Sequence, residues 1–343
     1  MKSFKWLIPI FFLLVSCFIE AQTKEIKGKD FFSDERQLEV ILTTDIKNLL
    51  SEKRTLKAVD AIISCKFPDS SIIEENIKLK QRGHFRKDNC YLSSLMLQFN
   101  SNKANKLAPL KSLKLVGGCG KSGNDEQYLL KEYLVYKIYN LLTGYSFRVR
   151  LLQVAYTDTK GKIKPYSQYA FLLEDFDDVA KRNKSQEKKL IKFSPAGTNS
   201  YQTALLSIFQ YMIGNTDWSI TYYHNIRLMV PKIDTFSLPL PVAYDFDITG
   251  LVNPYYATTQ EGLGIENVTQ RLYRGFATTM EVTQAVVDLM LQKEKEIFSL
   301  IDGFSLLSQR NKKEMVNFLD GFFKTIKNKA EVKSIFITNA RRD

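Results

Sequence analysis

Histidine is scarce in this sequence. The chain of 343 residues contains two histidines, His84 and His224, and four cysteines. A metal site built from several histidines is therefore excluded, and the hydrolase motifs HExxH and GxSxG do not occur. After the N-terminal segment the chain also lacks any run of about 18 apolar residues, which excludes a membrane-spanning helix in that part.

The composition is that of a globular protein. Apolar residues make up 44% and charged residues 25% of the chain, which excludes disordered, collagen-like and disulfide-framework classes. Lysine and arginine outnumber acids by 49 to 37, a net charge of +12 that favours anionic partners. The two densest basic runs, 181–192 and 310–313, carry no interleaved aromatic residues, so we interpret them as solvated surface and expect no nucleic-acid partner.

Residues 1–21 predict an export signal. The basic start MKSFK precedes an apolar stretch at 6–15 that is too short to span a bilayer stably. LVSC at 14–17 resembles a bacterial lipobox with Cys17 as the lipidated residue, whereas IEA before Gln22 resembles an ordinary signal-peptidase site. Both alternatives place the mature chain outside the cytoplasm, in the periplasm, on the outer membrane or secreted. Membrane attachment is expected only through a lipid on Cys17.

Three cysteines follow Cys17 in the mature chain. The separations between Cys65, Cys90 and Cys119 match no zinc-binding spacing. Cys90 opens one predicted strand and Cys119 follows another, so antiparallel pairing would bring the two sulfurs to the same end. Cys90 and Cys119 are either a disulfide pair, as an oxidising compartment favours, or two free buried thiols.

The first half of the mature chain is rich in predicted strands and the second half in predicted helices. Alternating apolar residues predict strands at 38–42, 56–65, 76–85, 91–99, 112–116, 146–158 and 165–173. Helices are predicted at 43–52, 125–142, 174–182 and 200–214, and through most of the chain after 278. This order predicts a strand-rich N-terminal lobe at 22–173 with one long helix, and a helix-rich C-terminal lobe at 174–343.

Four acidic or amide residues stand at the ends of predicted elements in the second half. Asp217 follows a helix, Asn225 enters a strand eight residues later, and Asp245 and Asp247 follow the next strand. Phosphoryl transfer needs a carboxylate to orient the acceptor hydroxyl and oxygen ligands for Mg²⁺, and this order supplies them. The alternative is structural: a loop cap, a strand-edge amide and two turn acids.

The first half offers cations and a partner carboxylate. Lys114 alternates with Leu113 and Leu115 in a predicted strand and could point inward, where Glu132 of the long helix could hold it. Arg82 belongs to a basic turn, RGHFR, that could cover phosphates. Glu174 stands where the two lobes would meet and could line a nucleotide. The structural alternatives are a solvated lysine, a basic hairpin and, for the acids at 174–178, favourable placement at a helix N-terminus.

Taken together, these segments resemble the CotH-type (spore-coat) atypical protein kinases, in particular an exported branch common in Bacteroidetes-like bacteria. The resemblance spans about residues 75–280 and rests on RGHFR, LKLVGGC, the block from LLKEYLVYKIYNLL to LLQVAY, YAFLLED, IGNTDW, HNIRL and AYDFDITG. It implies an α+β, two-lobed kinase-like fold that binds ATP and Mg²⁺ and phosphorylates a hydroxyl.

By position, the resemblance implies that Asp217 is the catalytic aspartate and Lys114 the ATP-binding lysine. Asp245 matches the principal metal ligand of the family, and Asn225 matches an auxiliary one. Asp247 is the alternative to Asp245, because either aspartate of the DFD triplet can be aligned with the metal-binding aspartate. The sequence therefore predicts an exported Mg²⁺-dependent phosphotransferase acting on a protein or surface-polymer hydroxyl. The alternatives are a catalytically inactive kinase-fold module that binds a protein or glycan, and a non-enzymatic lipoprotein of an outer-membrane assembly.

Overall fold

The computed structural model describes residues 31–342, apart from 53, 54, 56, 93, 100–104 and 190–193. The predicted export signal, including Cys17, lies outside the described residues. None of the helices in the described part is long and apolar enough to cross a membrane.

Seven strands of the first half close into a barrel. They are β1 (Leu38–Thr44), β2 (Val59–Lys66), β3 (Ile72–Arg82), β4 (Ser94–Phe99), β5 (Ser112–Gly117), β6 (Val149–Asp158) and β7 (Tyr166–Leu173). Neighbours follow the order β1-β2-β3-β4-β5-β7-β6, and β6 returns to lie beside β1. All pairs are antiparallel except β1 with β6, whose parallel register runs from Leu38↔Leu152 to Thr44↔Asp158.

The expected α+β two-lobed kinase-like fold is wrong. A kinase-like N-terminal lobe would be an open sheet, whereas the parallel pairing of β1 with β6 closes this one into a barrel. Closure is favoured because it removes both unpaired sheet edges. The alternating residues of each strand then face one enclosed interior, as in β1, where Leu38, Val40 and Leu42 are buried while Ile41 is half exposed.

Eight helices connect the strands or follow them in the described residues. They are α1 (Ile46–Ser51), α2 (His84–Asn89), α3 (Gly123–Leu142), α4 (Phe176–Arg182), α5 (Ser200–Met212), α6 (Met280–Asp302), α7 (Gln309–Lys327) and α8 (Lys329–Lys333). A second sheet of β8 (Ser185–Glu187), β9 (Ile226–Pro231) and β10 (Leu240–Ala243) has the order β10-β9-β8. The strand predicted to reach residue 85 ends at Arg82, because Gly83 turns the chain with a φ of 91° and α2 begins.

The long helix α3 joins the first half of the chain to the second. Its N-terminus is a capping box between Ser122 and Asp125. Leu130, Leu134 and Ile138, at helical spacing, are fully buried in a core shared with α5, α6 and α7 and with the outer face of the barrel. The barrel interior forms a separate core. The candidate site lies where these two cores adjoin.

A disulfide links Cys90 to Cys119, and the predicted pairing is confirmed. The bond ties the end of α2 to the segment after β5. The N–H of Tyr91 also donates to the carbonyl of Cys119 at 2.8 Å. Together these contacts hold the end of α2, the helix that carries Arg86, a residue of the candidate site. Cys65 is free and buried in the barrel, and burial raises the pKa of its thiol to about 12.

Candidate functional site

The DFD triplet after β10 is anchored by its middle residue. The Phe246 side chain is fully buried, with ring centroids 4.7 Å from Tyr136 and 5.5 Å from Phe209. The N–H of Asp245 donates to the Tyr136 hydroxyl at 2.9 Å. Because Phe246 is held in the aromatic core, the backbone positions of Asp245 and Asp247 on either side of it are fixed as well.

Lys114 lies against Asp245. Its Nζ is 2.9 Å from Asp245 Oδ1, and the two side chains are 12% and 38% exposed. Burial would raise the pKa of Asp245, but the charge and hydrogen bond of Lys114 lower it. Asp245 is therefore a carboxylate held in its charged form, partly open to solvent. The predicted partner of Lys114 was Glu132, and its partner in the structure is Asp245.

Glu132 is instead bound by Arg86, which also holds Asp247. Arg86 Nη2 lies 3.3 Å from Glu132 Oε2 and 3.1 Å from Asp247 Oδ2, and Nη1 donates to the carbonyl of Gly117 at 2.7 Å. Burial raises the pKa of Glu132 to about 8 against the opposing charge of Arg86, and burial likewise raises the pKa of Asp247. This charged cluster therefore has two cations, Lys114 and Arg86, for the three carboxylates of Asp245, Asp247 and Glu132. Glu132 Oε1 is buried without a hydrogen-bond partner.

The loop that carries Asp217 is held tightly at the end of α5. Asn215 Oδ1 accepts the N–H of Asp217 at 2.8 Å, and the carbonyl of Asn215 accepts Trp218 Nε1–H at 3.2 Å. The N–H of Gly250 donates to the carbonyl of Gly214 at 3.1 Å, which ties this loop to the segment after Asp247. A side chain at 250 would not fit, since an added Cβ would lie 2.4 Å from a backbone oxygen.

Three polar side chains converge on the carboxylate of Asp217. Asn225 Nδ2 donates to Oδ2 at 3.1 Å and to the Asp217 carbonyl at 2.8 Å. His224 Nε2 lies 2.8 Å from Oδ1, and Gln260 Nε2 donates to Oδ1 at 3.0 Å. Asp217 and His224 remain partly exposed, at 31% and 53%. The group is therefore a solvent-accessible carboxylate whose orientation is fixed by its neighbours.

Asn225 connects Asp217 with the Lys114–Asp245 pair. Its side chain binds Asp217, and its carbonyl accepts the N–H of Tyr244 at 3.1 Å, one residue before Asp245. Asn225 and Asp245 both adopt left-handed backbone, with φ of 53° and 66°. Such conformations are uncommon outside glycine and cluster at functional sites. The local backbone is therefore bent at Asn225 and at Asp245.

A cavity of about 350 Å³ opens beside Lys114. Its walls combine cations, acids and apolar side chains. The cations are Arg82, Lys114, Lys189 and Arg227, and the apolar residues are Met96, Phe147, Leu173 and Phe176. A cavity with an apolar wall and a few convergent charged groups is the usual form of a small-molecule site. The charge of Arg82 also acts on Asp245, whose pKa it lowers.

Glu174 lines the same cavity but directs its carboxylate away from solvent. The side chain is fully buried and accepts Arg182 Nε–H at 3.0 Å and the N–H of Arg148 at 2.9 Å. Its neighbour Asp175 caps α4, as expected for acids in a first helical turn. Because both oxygens of its carboxylate accept hydrogen bonds inside the protein, Glu174 helps to hold the cavity wall in place.

The candidate residues thus fall into one connected region. Asp217, Asn225, Asp245, Asp247 and Lys114 are brought together through direct contacts or a single intervening residue, while Arg82, Lys114 and Glu174 share the cavity. Arg86, His224 and Gln260 were not predicted as site residues. Arg86 and His224 occur within the RGHFR and HNIRL segments, but Gln260 stands in a loop with no local signal.

No group of three or more His, Cys, Asp or Glu residues in the described ranges is arranged to hold a metal ion by itself. Mg²⁺ that is bound together with a nucleotide does not need such a group, because phosphate oxygens and waters complete its shell around one or two carboxylates. Asp245 fits that role better than Asp247, since its carboxylate is 38% rather than 13% exposed. Comparison with protein-family models and with curated protein sequences finds no match to this chain.

Proposed function

We propose that this protein is an exported, Mg²⁺-dependent phosphotransferase that transfers the terminal phosphate of ATP to a hydroxyl of a protein or surface polymer. The observation that carries the proposal is the 2.9 Å contact between Asp245 and Lys114, a residue that lines the cavity. A cation suited to a phosphate and a charged, partly exposed carboxylate lie side by side in this contact. The resemblance to CotH-type kinases remains part of this proposal, without the kinase-like architecture.

Each residue has a role that its contacts support. Lys114 and Arg82 would neutralise phosphate oxygens within the cavity, and its apolar wall would receive the base. Asp245 and the amide oxygen of Asn225 would hold Mg²⁺, since the Asn225 N–H groups are already used by Asp217. Mg²⁺, when bound, offsets the negative charge that develops on the transferred phosphate.

Asp217 would act on the acceptor. The acceptor oxygen forms a bond to the terminal phosphorus as the bond from phosphorus to the bridging oxygen breaks, and ADP leaves with that electron pair. The hydroxyl proton passes to the Asp217 carboxylate, whose orientation Asn225 and His224 maintain. Export fits the Cys90–Cys119 disulfide, since such bonds persist in oxidising compartments.

A second candidate is a catalytically inactive module that binds a protein or glycan at the cell surface. One observation favours it: the Asp217 carboxylate is already engaged by His224, Asn225 and Gln260. With three of its roughly four acceptor sites already used, this carboxylate has less capacity left to take a proton from an acceptor. The two candidates differ in whether bound nucleotide is turned over.

Thermal unfolding of the mature chain with ATP and MgCl₂ tests the proposal. Binding should stabilise the chain by about 2.7 kcal/mol at a nucleotide concentration of 100 times Kd. Asp245→Asn should abolish the Mg²⁺-dependent part of that stabilisation, and asparagine tolerates the left-handed backbone at this position. Asp320→Asn is the matched control, because Asp320 pairs with Lys324 at 2.7 Å on α7.

Transfer is then measured with γ-labelled ATP, using the protein itself and a panel of proteins and glycans as acceptors. Labelling that Asp245→Asn loses supports the phosphotransferase. Stabilisation without labelling of any acceptor favours the inactive module, and the absence of any stabilisation by ATP and Mg²⁺ contradicts the proposal.

A further inference from the structure

The loop between β9 and β10 exposes large apolar side chains. Within this tip loop, residues 232–239, Ile233 and Phe236 are each 97% exposed and Leu238 is 54% exposed. Ile233 and Phe236 are the two most exposed large hydrophobic residues in the described part of the chain. Single exposed apolar residues are ordinary, but several together on one projection mark an interaction surface.

The tip loop is an ordered turn. Asp234 Oδ1 accepts the N–H of Phe236 at 3.0 Å, and Asp234 Oδ2 accepts the Ser237 hydroxyl at 2.6 Å. The N–H of Ser237 also donates to the Asp234 carbonyl at 3.3 Å. These bonds hold the turn in a shape that keeps Phe236 directed outward, so the exposed side chains are presented by the fold.

The base of the tip loop is basic. Lys232 and Lys184 are both exposed and lie side by side, since the N–H of Lys232 donates to the carbonyl of Lys184 at 2.9 Å. The one acid of the loop, Asp234, directs its carboxylate into the turn. An apolar tip above two exposed lysines, on a chain of net charge +12, complements an anionic surface with an apolar interior.

We propose that the tip loop docks on an anionic lipid surface, with Ile233 and Phe236 entering the boundary between headgroups and acyl chains and the lysines contacting lipid phosphates. A lipid surface is favoured over a protein pocket because the loop is a convex projection that needs no shaped partner, and because its charge matches anionic headgroups. This inference does not depend on catalysis.

Docking would also orient the candidate site. The hairpin of β9 and β10 has the tip loop at one end. Asn225 and Asp245 lie next to its other end. Its paired part is four residues long on each strand, so the site lies roughly 13 Å or more from the tip loop at ~3.3 Å per residue. The hairpin would therefore hold the site at a fixed height above the surface.

Co-sedimentation of the mature chain with vesicles tests this inference. Vesicles of phosphatidylcholine with 30–40% phosphatidylglycerol, on the order of typical anionic contents, are compared with phosphatidylcholine alone. The chain should bind the anionic vesicles more strongly, and added salt should weaken binding. The double variant Ile233→Ser with Phe236→Ser should bind about tenfold or more weakly. Ile72→Ser with Tyr255→Ser is the matched control, since both residues are exposed elsewhere.

A second readout locates the contact. Phe236→Trp places a fluorophore at the tip loop, and its emission should shift to the blue with anionic vesicles, whereas Trp218 is buried and should not respond. The inference is overturned if the chain does not bind anionic vesicles, or if the double serine variant binds them as the unchanged chain does. Light scattering that shows self-association lost in the serine variant, without vesicle binding, would assign the tip loop to a second copy of the chain.

Discussion

Lys114 Nζ lies 2.9 Å from Asp245 Oδ1 although 131 residues separate them. Lys114 belongs to the barrel strand β5, and Asp245 follows β10 of the small sheet. The contact therefore joins the two halves of the chain beside the cavity. Arg86 makes the parallel connection from α2 to Asp247 at 3.1 Å. Two cations from the first half thus meet two carboxylates from the second.

Asp217→Asn should separate transfer from binding. If Asp217 accepts the acceptor proton, phosphate transfer should fall by about 10²- to 10⁴-fold. Nucleotide affinity should change by no more than about threefold, because Asp217 contacts His224, Asn225 and Gln260 rather than the cavity wall. Steady-state labelling and calorimetric titration measure the two quantities, with Asp320→Asn as control. Full transfer activity in Asp217→Asn would remove it from the catalytic role.

Glu132 should make stability depend on pH. Burial raises its pKa from 4.5 to about 8, so between these values the folded chain holds a proton that the unfolded chain releases. This contribution is complete below about pH 4.5 and is lost as pH rises through 8, with a slope of at most about 1.4 kcal/mol per pH unit. Glutamine at position 132 carries no charge at any pH, so the free energy of unfolding of Glu132→Gln should not show this decline.

Urea unfolding of both chains from pH 5 to 9 provides the comparison. As pH rises, the free energy of unfolding of Glu132→Gln should increase relative to that of the unchanged chain. Parallel curves for the two chains would mean that Glu132 is charged throughout, held by Arg86.

Arg182→Met should strongly lower the free energy of unfolding and have only a small effect on ligand affinity. Arg182 is the charged partner of Glu174, whose side chain is fully buried, and removing it leaves an uncompensated carboxylate at a cost of about 3–5 kcal/mol. The double variant with Glu174→Gln should recover much of that loss. Denaturant unfolding measures the coupling; the exposed pair Lys78 and Asp60 is the control and should give less than about 1 kcal/mol.

Asp245→Ala should be less stable than Asp245→Gly. The backbone at this position has a φ of 66°, which costs a non-glycine side chain about 1–2 kcal/mol. Both variants lose the Lys114 pair, so their difference isolates the backbone. Thermal unfolding of the two should therefore separate them in favour of glycine. Equal stability would show that this turn relaxes when the carboxylate is removed.

Reduction of the disulfide should lower the free energy of unfolding by about 3.6 kcal/mol, because Cys90 and Cys119 close a loop with a sequence separation of 29. Urea unfolding with and without reductant measures the loss. The double variant Cys90→Ala with Cys119→Ala should be equally destabilised and should not respond to reductant. A response in that variant would assign the effect to another source.

Much of the local structure could be predicted from sequence. Alternation identified the strands, the spacing of Leu130, Leu134 and Ile138 identified the long helix, and the positions of two cysteines indicated their bond. These features depend on neighbours a few residues apart, or on two ends of paired strands. Asp217 and Asn225 were assigned to the same candidate site by their order in the sequence, and the Asn225 side chain contacts Asp217.

The way in which these elements meet follows from the tertiary fold alone. Periodicity assigns each strand residue to a face but does not choose the adjacent strand, so the parallel pairing of β1 with β6 that closes the barrel could not be foreseen. For the same reason Lys114 was assigned to Glu132, whereas left-handed turns at Asn225 and Asp245 direct Asp245 towards it. Charged side chains pair with whatever the folded backbone brings within about 3 Å, and that distance is a property of the whole fold.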